Sequence, residues 1–220
     1  VVGGLLVIVL LIQFIKIKRY VPASYWFAVV LMSIVGTLIT DNLVDNLGIP
    51  LTTTTIAFCF ALLGVFVLWY VSEKTLSVHT IFTTKRELFY WATILFTFAL
   101  GTAAGDLLAE KLDVGYALSA LVFAGAIGLT AALYYFANMN AILSFWIAYI
   151  LTRPLGASIG DLLSQPVDAG GLGLGTAKIT ILFLITIVIL VTYLTLTKKD
   201  QTLVSESTEE PVSLFGVADD

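Results

Sequence analysis

The sequence predicts an all-α, polytopic membrane bundle of about seven transmembrane helices made of parallel two-helix repeats. Three observations carry that expectation. The 220-residue chain is 59% hydrophobic and only 12% charged, about half the charge of an ordinary soluble domain. Its apolar residues fall into seven runs, at 1–15, 23–47, 51–72, 88–112, 114–137, 141–165 and 172–197. A motif containing Trp, Gly and Asp also recurs three times at one spacing inside those runs.

Each of the last six runs reaches the roughly 20 residues that a spanning helix needs. The run 1–15 is shorter because the chain begins inside it. It lacks the charged start and the small-residue cleavage site of a signal peptide. None of the runs alternates as barrel strands do, and bare backbone is not tolerated in lipid, so each is expected to be helical. The single cysteine, Cys59, excludes a disulfide framework or a cysteine metal site and is expected to be a buried packing residue.

The connections alternate in kind. Leu47-Gly48-Ile49-Pro50 and Leu112-Asp113-Val114-Gly115 are tight turns on one side. The other side carries eight of the eleven bases: Lys16, Lys18, Arg19, Lys74, Lys85, Arg86, Lys198 and Lys199. By the positive-inside rule this charged side, with the C-terminus, is cytoplasmic. The net charge of −4 comes from the tail, where Asp200 to Asp220 hold six acids and no base. Residues 198–220 are expected to be a disordered acidic tail, and no nucleic-acid surface is in view.

The repeat reads W-x9-G-[TA]-x3-D-x-L. Its copies are Trp26, Gly36 and Asp41; Trp91, Gly101 and Asp106; and Trp146, Gly156 and Asp161. A short turn and a second apolar helix follow each copy, which gives hairpins at 23–72, 88–137 and 141–197. Residues 1–17 then read as the second helix of a truncated first repeat. Hairpins of this kind all point the same way, so the tryptophans start near the cytoplasmic interface, where aromatics are favoured. The three aspartates share one depth in the outer part of the bilayer core.

The phrases VGTLITDN from Val35, LGTAAGD from Leu100 and LGASIGD from Leu155, with the glycine-rich Gly170–Gly175, resemble the bacterial "uncharacterized membrane-anchored protein" family. That family is built from tandem copies of a repeat of unknown function. The resemblance covers the chain to about Lys199. It implies four copies, the first lacking its leading half here, and a place in the bacterial inner membrane. It brings no activity with it.

The glycines have a packing reading. Gly101 with Gly105 and Gly156 with Gly160 form GxxxG pairs, and Gly36 with Thr40 is a small-xxx-small variant; such pairs let helices approach closely in lipid. An ionisable residue inside a spanning helix costs about 2.5 kcal/mol or more and marks a pathway or a partner. Asp41, Asp106 and Asp161 are therefore the leading cation or substrate ligands. Asp45, Glu110 and Gln165, each four residues on, share their helix faces. Such hard oxygen ligands suit a proton or a divalent cation such as Mn²⁺ or Mg²⁺. Arg153 stands where the other copies have Ser33 and Phe98, and is expected to meet Asp106 or Asp161 as a counter-charge. Pro154 beside it should kink the helix. Gly170–Gly175 lacks the flanks of a nucleotide loop and reads as a turn.

The leading expectation is a transport protein, not an enzyme, that moves a cation or a proton-coupled solute past the three aspartates. Its partners are the lipid bilayer and that small cation or solute, and no resident cofactor is expected. The alternative is a scaffold or accessory subunit in which the acids lock helices together. A remote one is an intramembrane aspartyl protease, suggested by Gly105-Asp106 and Gly160-Asp161; three equivalent acids in place of a dyad count against it.

Overall fold

The computed structural model describes residues 2–16 and 21–197, with the helical backbone alone for 12–16. The acidic tail 198–220, and with it the side chains of Lys16, Lys18, Arg19, Lys198 and Lys199, lie outside the described residues. Seven helices follow in order among those described: α1 (Val2–Lys16), α2 (Pro22–Asp41), α3 (Leu51–Glu73), α4 (Thr84–Asp106), α5 (Tyr116–Ala137), α6 (Ala141–Ser164) and α7 (Thr176–Thr197). Helices α2 to α7 are long and apolar enough to cross a membrane, and α1 contributes a shorter apolar segment. The chain is a multi-pass helical bundle.

Local chemistry sets the helix ends. Pro22 opens α2, where a missing N–H costs nothing. Thr83 Oγ1 accepts from the Arg86 N–H at α4, and Asn140 Oδ1 accepts from Ile142 and Leu143 at α6. Lys74 and Asn138 close α3 and α5 in the left-handed conformation.

The packing is not that of closed hairpins. Rather than lying along their own hairpin partners, three second helices pack against the first helix of the next repeat, α1 on α2, α3 on α4 and α5 on α6, while the last, α7, touches both its own partner α6 and α2. The first helices α2, α4 and α6 form an inner row with α4 in the middle. Helices α3, α5 and α7 show long runs of exposed apolar side chains, as lipid-facing helices do. At the tryptophan end, Glu73 ties α3 to α4 by ion pairs with Arg86 at 2.8 Å and Lys85 at 3.1 Å.

Small residues hold the inner row together. An alanine Cβ at position 36 would fall 2.6 Å from the Cβ of Phe98 and 3.0 Å from the Ala99 nitrogen. At position 101 it would collide with the Cβ of Arg153. At 105 it would meet only ordinary contacts with Ala157 and Pro154. Thr40 adds a hydrogen bond from its hydroxyl to the Ala99 carbonyl at 3.0 Å. Gly156 and Gly160 differ from the expectation: nothing lies within 4 Å of the Cβ that either would carry. Packing between neighbouring first helices uses the glycine of one repeat and the side chain three residues before the glycine of the next. Among the described residues no further first helix follows α6. Pro154 is buried where Gly101 and Gly105 cross α6, and α6 continues through it.

Two of the three motif tryptophans are core residues, and the third, Trp26, is partly buried. Trp91 and Trp146 are buried, the latter donating to the Leu76 carbonyl at 2.9 Å, and both join a cluster with Tyr25, Trp69, Tyr90 and Tyr149. Three adjacent parallel helices bring these rings together and leave them little contact with lipid. Cys59 is exposed, not buried, on the outward face of α3.

The glycine-rich segment works as a cap. The N–H groups of Leu172, Gly173 and Leu174 donate to the carbonyls of Leu162, Gln165 and Leu163, at 2.7, 2.8 and 3.1 Å. These are carbonyls that a helix end leaves without intrahelical donors. Gly170, Gly173 and Gly175 have positive φ, and a Cβ on Gly171 would collide with the Gln165 carbonyl.

Replacing Gly36 or Gly101 by Leu should lower the melting temperature of the detergent-solubilised protein by several degrees, since overpacking costs about 1–3 kcal/mol; Gly156→Leu should leave it within a degree or so. Gly171→Ala should also destabilise, because its clash is with backbone that cannot swing aside. Fluorescence-detected size-exclusion after graded heating checks all four.

Candidate functional site

Equivalent positions of the repeats meet one another across the inner row. The hydroxyls of Tyr25 and Tyr90 are hydrogen-bonded, and so are those of Thr37 and Thr102 at 3.1 Å. Both pairs are 65 residues apart, the separation of Asp41 and Asp106. Helices α2 and α4 therefore lie parallel and in register, which puts their motif aspartates at one level. On the α6 side, Gly101 against Arg153 continues the arrangement.

The acids gather at the end of the bundle away from the tryptophans. Asp106, on the central helix, lies within the electrostatic reach of Asp161, Glu110, Asp41 and Asp45. All three motif aspartates are half-buried, whereas Asp45 and Glu110 are exposed. Gln165 offers its amide to Asp161, and Glu110 accepts from the Tyr116 hydroxyl at 2.9 Å. Among the described residues none of these five carboxylates forms an ion pair. They bring negative charge together at one end of the helical bundle.

The sequence did not disclose the local backbone at this level. Immediately after Asp41 and after Asp106 the helix widens into a π turn, over Asn42–Asn46 and Leu107–Lys111. Leu47 N–H closes on the Asn42 carbonyl and Leu112 N–H on that of Leu107, both at 3.0 Å. Asp45 and Glu110 thus sit on a wider spiral than the α-helical spacing implied. Such turns are rare and concentrate at functional sites. The third copy lacks one: α6 runs as regular helix past Asp161 to Ser164. No periodicity in the apolar residues marks this difference.

Two expectations do not hold. Among the described residues no three of the acids stand close enough to enclose one metal ion. Asp41, Asp106 and Asp161 are thus not a preformed Mn²⁺ or Mg²⁺ cage among the described residues. Arg153 does not pair with Asp106 or Asp161. Its guanidinium lies 3.1 Å from the centre of the Phe98 ring and donates from Nη2 to Ser33 Oγ at 3.1 Å. The reason is register: Ser33, Phe98 and Arg153 are the same position of the three repeats and share a level, while the aspartates lie eight residues further along, ~12 Å at 1.5 Å per residue. An arginine at mid-span costs roughly 2.5–3.5 kcal/mol to insert, and a desolvated ring face returns about 2 or more of it. The buried Nε has no hydrogen-bond partner.

Thr54 and Thr55 bond their own helix, Thr54 to the Pro50 carbonyl and Thr55 to that of Leu51. A groove of about 350 Å³ between α1 and α2 is lined by Gly3, Val35, Leu38, Ile39, Asn42 and Leu43. It is apolar apart from Asn42, the neighbour of Asp41.

No curated protein and no solved structure matches the chain. A family described as "Repeat of Unknown Function (DUF347)" matches at residues 24–75, 89–140 and 144–200, one match for each copy of the Trp-Gly-Asp motif. With three tandem matches over most of its length, the chain belongs to the DUF347 repeat family.

Proposed function

We propose that the protein is a membrane transporter that moves a cation, or a solute coupled to protons, past the carboxylates of Asp41, Asp106 and Asp161. One observation carries this reading: acids from three repeats share a level around Asp106 without a basic partner among the described residues. Negative charges brought together at low dielectric call for positive charge. With no enclosed metal cage, a proton or weakly held cation passing from one carboxylate to the next fits better than a resident metal. The π turns beside Asp41 and Asp106 supply helix segments of unusual geometry at that level. On this reading the protein is not an enzyme.

The same reading sets the membrane as the bacterial inner membrane, with the tryptophan end and the C-terminus cytoplasmic. The packing of α1 on α2, as of α3 on α4 and α5 on α6, supports α1 as the second helix of a further repeat copy. A scaffold role is favoured by a different observation, the ring-packed tryptophan end, where Trp69, Tyr90, Trp91 and Trp146 fill the space between helices.

In proteoliposomes with an imposed proton gradient, Asp106→Asn should cut proton flux, read by an entrapped pH dye, at least tenfold. Asp41→Asn and Asp161→Asn should each have a smaller effect, since each has fewer acidic neighbours than Asp106. All three variants should fold, because the motif aspartates form no ion pair. Wild-type flux no greater than that of empty vesicles, or full flux in the triple Asn variant, would leave the scaffold reading in its place.

A further inference from the structure

Arg153 packs through its Cβ against Gly101, but neither that packing nor the carboxylate level uses its charge. The equivalent residues Ser33 and Phe98 are neutral, so the repeat does not need a charge at this level to pack. The structure gives the cation three neighbours, none of them negative: the Phe98 ring, the Ser33 hydroxyl and, within electrostatic reach, the Tyr149 phenol. Among the described residues no carboxylate lies within ion-pair distance of it. Its Nε is enclosed without an acceptor, yet the residue as a whole is only half-buried. One turn along α6, Gly156 leaves its helix face open, with no heavy atom within 4 Å of a Cβ there. A guanidinium with donors to spare, held flat by a ring and still partly exposed, is how proteins take hold of planar or tetrahedral oxyanions.

We infer that Arg153 is the anchoring residue of a binding site for the oxyanion group of a small solute. The site lies between α2, α4 and α6, with Phe98 and Ser33 fixing the orientation of the fork. Its level falls between the aromatic cluster around Tyr90 and the carboxylates around Asp106, so a bound anion lies on the same inner row as the acids. This names the solute class for the proposed transporter. It rests on that reading for movement of the solute, though not for binding.

The test is equilibrium titration of the purified full chain in detergent with sodium acetate, inorganic phosphate and sodium chloride, at constant ionic strength. Saturable binding of acetate or phosphate is expected, and the better of the two separates a carboxylate from a phosphate site. Arg153→Gln should weaken that binding at least tenfold and Arg153→Lys several-fold, because an ammonium lacks the fork; Cys59→Ser, on the outward face of α3, should leave it unchanged. A measurement on the wild type alone guards against a variant that fails to fold: acetate or phosphate should slow modification of Arg153 by phenylglyoxal, located by mass spectrometry, and chloride should not. Absent saturable binding, undiminished binding in a folded Arg153→Gln, or equal protection by chloride would each overturn the inference. Loss of proton flux in Asp106→Asn with no oxyanion binding in the wild type would leave the transport reading standing and this one fallen. Binding without any flux would do the reverse.

Discussion

The close approach of α2, α4 and α6 through glycine fixes the rest of the molecule. In lipid there is no water to expel between helices, so association depends on van der Waals contact and a few interhelical hydrogen bonds. Gly36 against Phe98 and Ala99, and Gly101 against Arg153 and Pro154, supply that contact. Because each contact joins a glycine to the position three residues before the next repeat's glycine, the helices are locked in register as well as in distance. Register then decides the other layers: tyrosine meets tyrosine, threonine meets threonine, and the acids reach one level.

The second helices reinforce this lock by exchange. A closed hairpin would stabilise each repeat separately and leave the repeats free to slide. Here α3 covers α4 and α5 covers α6, so every repeat is completed by its predecessor, as in repeat arrays where stability resides in neighbour interfaces. The tight turns at Gly48 and Gly115 make the exchange possible, since both glycines take positive φ and send the chain away from its own helix. The ion pairs of Glu73 with Lys85 and Arg86 close the opposite end of the same interface.

Much of this was legible in the sequence. Seven apolar runs appear as seven helices, and the motif spacing anticipated parallel first helices with their aspartates at one level. What could not be read were matters of partner choice and local winding. Trp91 and Trp146 have the composition of interfacial anchors, but sequence does not say that three parallel helices will turn their rings toward one another. Gly156 and Gly160 have the same spacing as Gly101 and Gly105, yet only the latter pair has a following helix among the described residues to receive it. The π turns after Asp41 and Asp106 insert a residue into the helix without disturbing the apolar pattern, so periodicity is blind to them. Arg153 was assigned to the aspartates because opposite charges attract. Eight residues of helix separate them in depth, and that geometric fact outweighs the attraction.

The departures from symmetry are more informative than the symmetry. Identical repeats would present Ser, Phe or Arg three times at the middle level, and either three π turns or none at the acidic one. Instead the middle level carries one charge, one ring and one hydroxyl that meet each other, and the acidic level combines two widened helices with one regular helix. A scaffold needs only the shared packing positions, which the glycines already provide. Residues that differ between copies yet converge in space create a polar, asymmetric interior along the inner row, with positive charge at mid-depth and negative charge beyond it. An interior of that kind costs insertion energy that packing does not require. Interaction with a charged small molecule supplies a reason for it.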